Sequence, residues 1–120
     1  VAWTVTSDRR WKTNIEESPL GLSFIQSLRP VVYIRKNDEN KRPEYGFIAQ
    51  EVEEALQNAG VNPQGVITKD DEGMYGVRYN DFIAPMVKSI QELSDENTEL
   101  KKKNEELERR LERLEKLLDK

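Results

Sequence analysis

The chain contains no histidine and no cysteine, and these two absences remove most routes to catalysis before any motif is read. A Ser-His-Asp triad, a Cys-His dyad and a zinc site ligated by His or Cys all need residues that are missing. No metal and no cofactor is expected. Covalent chemistry would have to use a Ser or Thr nucleophile with a Lys or carboxylate base, of which the Ser-Lys pair is one known form. The lack of cysteine fits a reducing compartment. No apolar run approaches the length of a membrane span, so no membrane partner is expected. No secretory signal stands at Val1, because Trp3 and Thr4 interrupt any apolar stretch there. With no methionine at its start, the chain reads as a fragment. Surplus positive charge is lacking too: the net charge of −4 argues against nucleic acid as the main partner. Hydrophobic residues make up 36% of the chain and charged residues 35%. That is thin for one compact globule, and part of the chain is expected to be a long exposed helix.

Read in order, Val1 to Thr6 has the β-propensity of a strand. Ser18-Pro19 reads as a helix start, with Ser as N-cap and Pro in the first helical position. Leu20, Phe24, Ile25 and Leu28 then form one helical stripe, which Arg29-Pro30 ends. Val31 to Ile34 is a strand by β-branched and aromatic content. Tyr45 to Ile48 is a second short strand or the approach to a helix. Val52, Ala55, Leu56 and Ala59 follow at helical spacing, with Glu51, Glu53 and Glu54 on the wet face and Gly60 as the stop. Val66 to Thr68 and Met74 to Val77 flank Asp70-Asp71-Glu72-Gly73, a hairpin signal. The acidic cluster lacks the spacing of a calcium loop and reads as a solvated turn.

Asn80 or Asp81 is positioned to cap the last helix, with Pro85 near its start. From there the pattern is strict. Met86, Leu93, Leu100, Leu107 and Leu114 recur every seven residues, and Ile90, Asn97, Asn104, Leu111 and Leu118 make the second seam. This is a coiled-coil signature, with a rod on the order of 50 Å long. In a parallel coil, Glu96 would meet Lys101, Lys103 would meet Glu108 and Arg110 would meet Glu115 of the neighbouring chain. All three pairings are opposite in sign and favour a parallel homo-oligomer. Leu at d with Asn at a leans toward a dimer, although the flanking charges alone do not decide the number of strands. The regularity of the last heptads leaves open that they are an appended tag.

One stretch offers chemistry: Ser7-Asp8-Arg9-Arg10-Trp11-Lys12, a hydroxyl and an amine in a chain without imidazole or thiol. Residues five apart lie about 140° apart on a helix and on opposite faces of a strand. Ser7 and Lys12 can therefore meet only if Asp8 to Trp11 form a turn or bulge; otherwise the stretch is a solvated charged loop.

Taken together, Ser7 to Lys12, Asn14-Ile15-Glu16, Leu28-Arg29-Pro30-Val31, Gly46-Phe47-Ile48-Ala49-Gln50-Glu51-Val52 and Val77-Arg78-Tyr79 with Pro85 resemble a known family. It is that of the C-terminal intramolecular chaperone domains of phage tailspikes, endosialidases and neck or tail appendages, also found in myelin regulatory factor. The resemblance runs from about Ser7 to Leu93. It implies a chaperone that drives folding and homotrimerisation of the fibrous segment before it and then cuts itself off between Thr6 and Ser7. In that reading Ser7 and Lys12 are the catalytic dyad, and the seam joins three chains rather than two. The client is the upstream fibre of the same polypeptide, and the setting is a host cytoplasm during virion assembly.

The expected architecture is α+β, with residues 1–6 ending the fibre, 7–80 forming the globular domain and 81–120 the coil. A lysine titrates near ~10.4 and a useful base nearer ~7–8. Lys12 would thus need burial or cationic neighbours, for which Arg9, Arg10 and Trp11 are the candidates. A plain trimerisation module fits the coil equally well. A coiled-coil transcription regulator fits poorly, because Asp81 to Glu96 carries one Lys and no Arg.

Overall fold

A computed structural model describes residues 4–119 of the chain. It is a small α+β body continued by one long helix, with overall extents of 78 × 44 × 33 Å. Its radius of gyration of 22.2 Å is well above the roughly 14 Å of a compact chain of this length. The elements are α1 (Leu22–Ser27), β1 (Val31–Ile34), β2 (Pro43–Gly46), α2 (Ala49–Asn58), β3 (Ile67–Lys69), β4 (Tyr75–Val77) and α3 (Ile83–Leu118), with 3-10 turns at Arg9–Trp11 and Tyr79–Phe82.

The strands form two separate antiparallel hairpins. Val31 pairs with Gly46 through to Ile34 with Pro43, and Ile67 pairs with Val77 through to Lys69 with Tyr75. The second hairpin closes through Asp70. Its Oδ1 accepts the N–H groups of Glu72 and Met74, both at 2.9 Å, so the acidic cluster begins as a self-capped turn. Between the hairpins lies α2, whose buried stripe is Val52, Ala55 and Leu56; Ala59, expected on the same stripe, is instead the exposed C-cap, because the helix ends at Asn58. It stops where Gly60 takes φ +75°, a left-handed value that lets the Val61 N–H reach the Leu56 carbonyl at 3.0 Å. Phe24 of α1, Ile67 of β3 and Phe82 complete the buried core, and Phe24, Phe82, Phe47 and Tyr79 stack in sequence at 5.3–6.1 Å between centroids.

Three local expectations are corrected. Ser18 does not cap a helix. Its hydroxyl folds back on Leu20, accepting from that N–H at 3.1 Å, and α1 begins only after Gly21. Neither Asn80 nor Asp81 caps α3. Both lie inside the 3-10 turn that runs directly into the helix, so the N-cap is Phe82, without a side-chain cap. The N-terminal strand expectation falls partly on residues 1–3, outside the described residues. Thr4 to Thr6 pairs with no strand among the described residues.

The long helix has two environments. Its first turns pack on α1: Pro85 and Ser89 are buried, and Lys88 Nζ donates to the Ser18 carbonyl. Pro85 sits in the first turn, where its missing N–H leaves no helical bond unmade. From Leu93 to Asp119 every residue is exposed, including Leu93, Leu100, Leu107, Leu111, Leu114 and Leu118. An isolated helix keeps such a leucine stripe in water only at a large cost, because that stripe has no covering surface in its own chain.

Candidate active site

The turn that Ser7 and Lys12 require is present. Asp8 builds it: its Oδ1 accepts the Arg10 N–H at 2.9 Å and its carbonyl accepts the Trp11 N–H at 3.1 Å. The Lys12 N–H then closes on the Arg9 carbonyl at 3.0 Å. The tight 3-10 winding brings Lys12 Nζ to 2.6 Å from Ser7 Oγ. In this contact the amine donates to the hydroxyl. To take the hydroxyl's proton instead, the amine must first be neutral, which reverses the direction of that bond.

The surroundings are wet. All residues from Thr4 to Glu17 are exposed, Trp11 at 82%, and the turn packs against no other element of its chain. Arg10 is committed to Asp8, with Nε and Nη2 donating to the two carboxylate oxygens at 3.2 and 3.0 Å. Those bonds, followed by the Arg10 backbone N–H, hold the Asp8 carboxyl below the usual carboxylate range and raise Arg10 in turn. Arg9 makes no ion pair among the described residues. Asn14 follows with φ 52°, a left-handed value that asparagine tolerates better than most residues.

The other motif residues lock the body together. Arg29 forks onto Glu51, Nε to Oε1 at 2.9 Å and Nη2 to Oε2 at 2.6 Å, tying the loop before β1 to the first turn of α2. The fork keeps the Glu51 carboxyl below its usual range and raises Arg29. Glu51 is therefore not simply on a wet face, as its position in the helical pattern suggests. Gly46 lies under Tyr79. A Cβ there would collide with the Tyr79 hydroxyl, which accepts the Phe47 N–H at 3.1 Å. These two clasps join motif segments far apart in sequence, and none of their hydrogen bonds reaches Ser7 or Lys12. An Arg and a Glu separated by 22 residues carry no local signal of pairing.

Residues 7–61 match a peptidase family described as chaperone of endosialidase. The match opens on Ser7 itself and closes just after α2, short of the Leu93 to which the motif resemblance extends. No curated protein matches the chain. Within the matched segment lie the Ser7–Lys12 turn, both ends of the Arg29–Glu51 fork and the Gly46 seat of Tyr79. The long helix α3 lies beyond the matched residues. Among the described residues no group of acidic side chains is arranged to hold a metal, and no helix is long and apolar enough to cross a membrane.

Proposed function

We propose that the chain is an intramolecular chaperone that associates through α3, serves the segment preceding Ser7, and then severs the Thr6–Ser7 peptide bond. The family match supports the chaperone role. The observation that carries the cleavage is the 2.6 Å contact between Ser7 Oγ and Lys12 Nζ, at the first residue of the matched segment.

The chemistry balances without a cofactor. Neutral Lys12 takes the Ser7 hydroxyl proton as Oγ attacks the Thr6 carbonyl carbon. The C–N bond breaks, the lysine proton passes to the departing Ser7 amine, and an ester joins Thr6 to Ser7 Oγ. Water then hydrolyses that ester, leaving a Thr6 carboxylate and the restored hydroxyl. A lysine in water titrates near ~10.4, so the pair needs a setting that disfavours the ammonium. Burial supplies one, and a lone copy has none around this turn. Assembly is the event that buries it. The exposed seam Met86, Ile90, Leu93, Asn97, Leu100, Asn104, Leu107, Leu111, Leu114 and Leu118 brings copies together, as a homotrimer in the family's manner. Cleavage then follows association, and removal of the helper leaves a product that does not readily come apart.

The test is a longer precursor run on a denaturing gel. Wild type is expected to yield two fragments, while Ser7→Ala and Lys12→Ala remain whole. Leu100→Asp with Leu107→Asp is expected to leave the precursor monomeric and uncut with its dyad intact. Normal processing of either dyad variant removes the mechanism, and full cleavage in the monomer removes its coupling to assembly. An assembled wild-type precursor that stays whole would favour the plain trimerisation module.

A further inference from the structure

We infer that the N-terminal arm of one copy docks, Trp11 foremost, into the cleft between the two β-hairpins of a second copy. The cleft has a volume of about 570 Å³, and Tyr33, Phe47, Tyr75 and Tyr79 line it together with Met74. It is an aromatic trough in a chain with few aromatics, and Met74 stands at its edge 67% exposed. Trp11, 82% exposed, is the largest of the apolar groups the arm leaves in solvent beside Val5 and Ile15, and an indole buries a large area wherever it lodges. A flexible methionine beside such a trough adapts readily to an incoming ring.

Two observations choose a second copy over the chain's own arm. The arm passes the root of α3, where Val5 lies beside Arg78 to Asp81, and Tyr79 of that stretch also borders the cleft. By the time the chain reaches Arg9–Trp11 it touches no element of its own body. The charges also fit, because the one cation lining the cleft, Arg35, is already paired with Glu44 at 2.7 Å. Asp71 and Glu72, directly before the cleft residues Gly73 and Met74, form no ion pair among the described residues, and neither does Arg9. Seating Trp11 in the trough sets Arg9 near that acidic rim. The inference rests on the proposed association of copies. It adds the surface that covers the Ser7–Lys12 turn and thus the source of its desolvation.

The absence of cysteine makes the test clean. Thr13→Cys in one population of chains and Met74→Cys in another, co-expressed and oxidised with glutathione disulfide, can join only between copies when the two different cysteines pair. Light scattering on the same sample gives the oligomeric state. The mixed disulfide is expected at about ten times the yield of a control pairing Thr13→Cys with Glu112→Cys, since a disulfide needs Cα atoms within roughly 7 Å. Adding Trp11→Ala should return the yield to control. Arg9→Glu should lower it, and Asp71→Arg with Glu72→Arg in the partner should restore it. Oligomers that give no mixed disulfide above control overturn this docking while leaving association intact. Monomers overturn both. A stronger disulfide within a single chain carrying both cysteines shows that the arm folds onto its own body, and overturns the exchange between copies.

Discussion

Leu56 has no exposed surface, whereas the larger Trp11 is 82% exposed. Between Ser18 and Glu92 the chain folds around its apolar groups, with stacked aromatics at the centre and two polar clasps at the periphery. Between Thr4 and Glu17 it holds a local shape through a capped turn and an ion pair, and its apolar side chains face outward. The body has an enclosed core but still shows Tyr45 and Met74 to solvent; the arm is organised in detail and has no core at all. A segment that is only a linker has no need of Asp8 capping a turn, Arg10 pinned to that cap and a hydroxyl placed on an amine. On the docking proposed above, that order without burial is a half-site awaiting its other half.

The contrast can be broken in graded steps. Leu56→Ala should cost the body about 2–5 kcal/mol, because it empties a fully enclosed site, and thermal unfolding would report it. Gly46→Ala should cost about 1–3 kcal/mol by driving a methyl into the Tyr79 hydroxyl. Tyr79→Phe in the same chain should recover part of that loss. Trp11→Ala should change the stability of the dissociated body by less than about 0.5 kcal/mol, the range of an ordinary surface substitution. A loss well above that in a monomeric background would show that the arm is held by its own chain. The smallest effect concerns acid. Glu51 has its folded-state carboxyl depressed by Arg29, so its contribution is present above the unfolded value near ~4.3 and is lost as pH falls through the lower folded value. Glu51→Gln should slightly flatten the decline in melting temperature below that value, since an exposed pair contributes little. Asp8 is depressed as well, but its partner Arg10 sits on the same arm. Asp8→Asn should leave the body's acid profile unchanged.

Much of the body was legible because its signals are local. The β1 residues, the buried stripe of α2, the Gly60 stop and the hairpin around Asp70 all follow from pattern or turn chemistry within a few residues. The seven-residue repeat was legible as a row of exposed positions on one helix. What escaped depends on distant partners. Ser18-Pro19 has the form of a helix start. The structure instead uses the Ser18 carbonyl to receive Lys88 from α3, and the helix begins three residues after Pro19. Glu51 fits a wet face until Arg29 is folded against it. The dyad turn is a middle case. The spacing of Ser7 and Lys12 demanded a turn, and Asp8 is a residue type that opens one, but the sequence did not choose between that turn and a loose loop.

The packing at the root of α3 also governs where its far end points. A helix of 36 residues is a lever about 54 Å long, and a swing of about 10° at its base would carry the tip sideways by roughly 9 Å, about one interhelical spacing. On the proposed association, Phe82 in the aromatic stack, buried Pro85 and Ser89, and Lys88 on Ser18 act as an aiming mount: copies whose bodies are misfolded would send their leucines past one another.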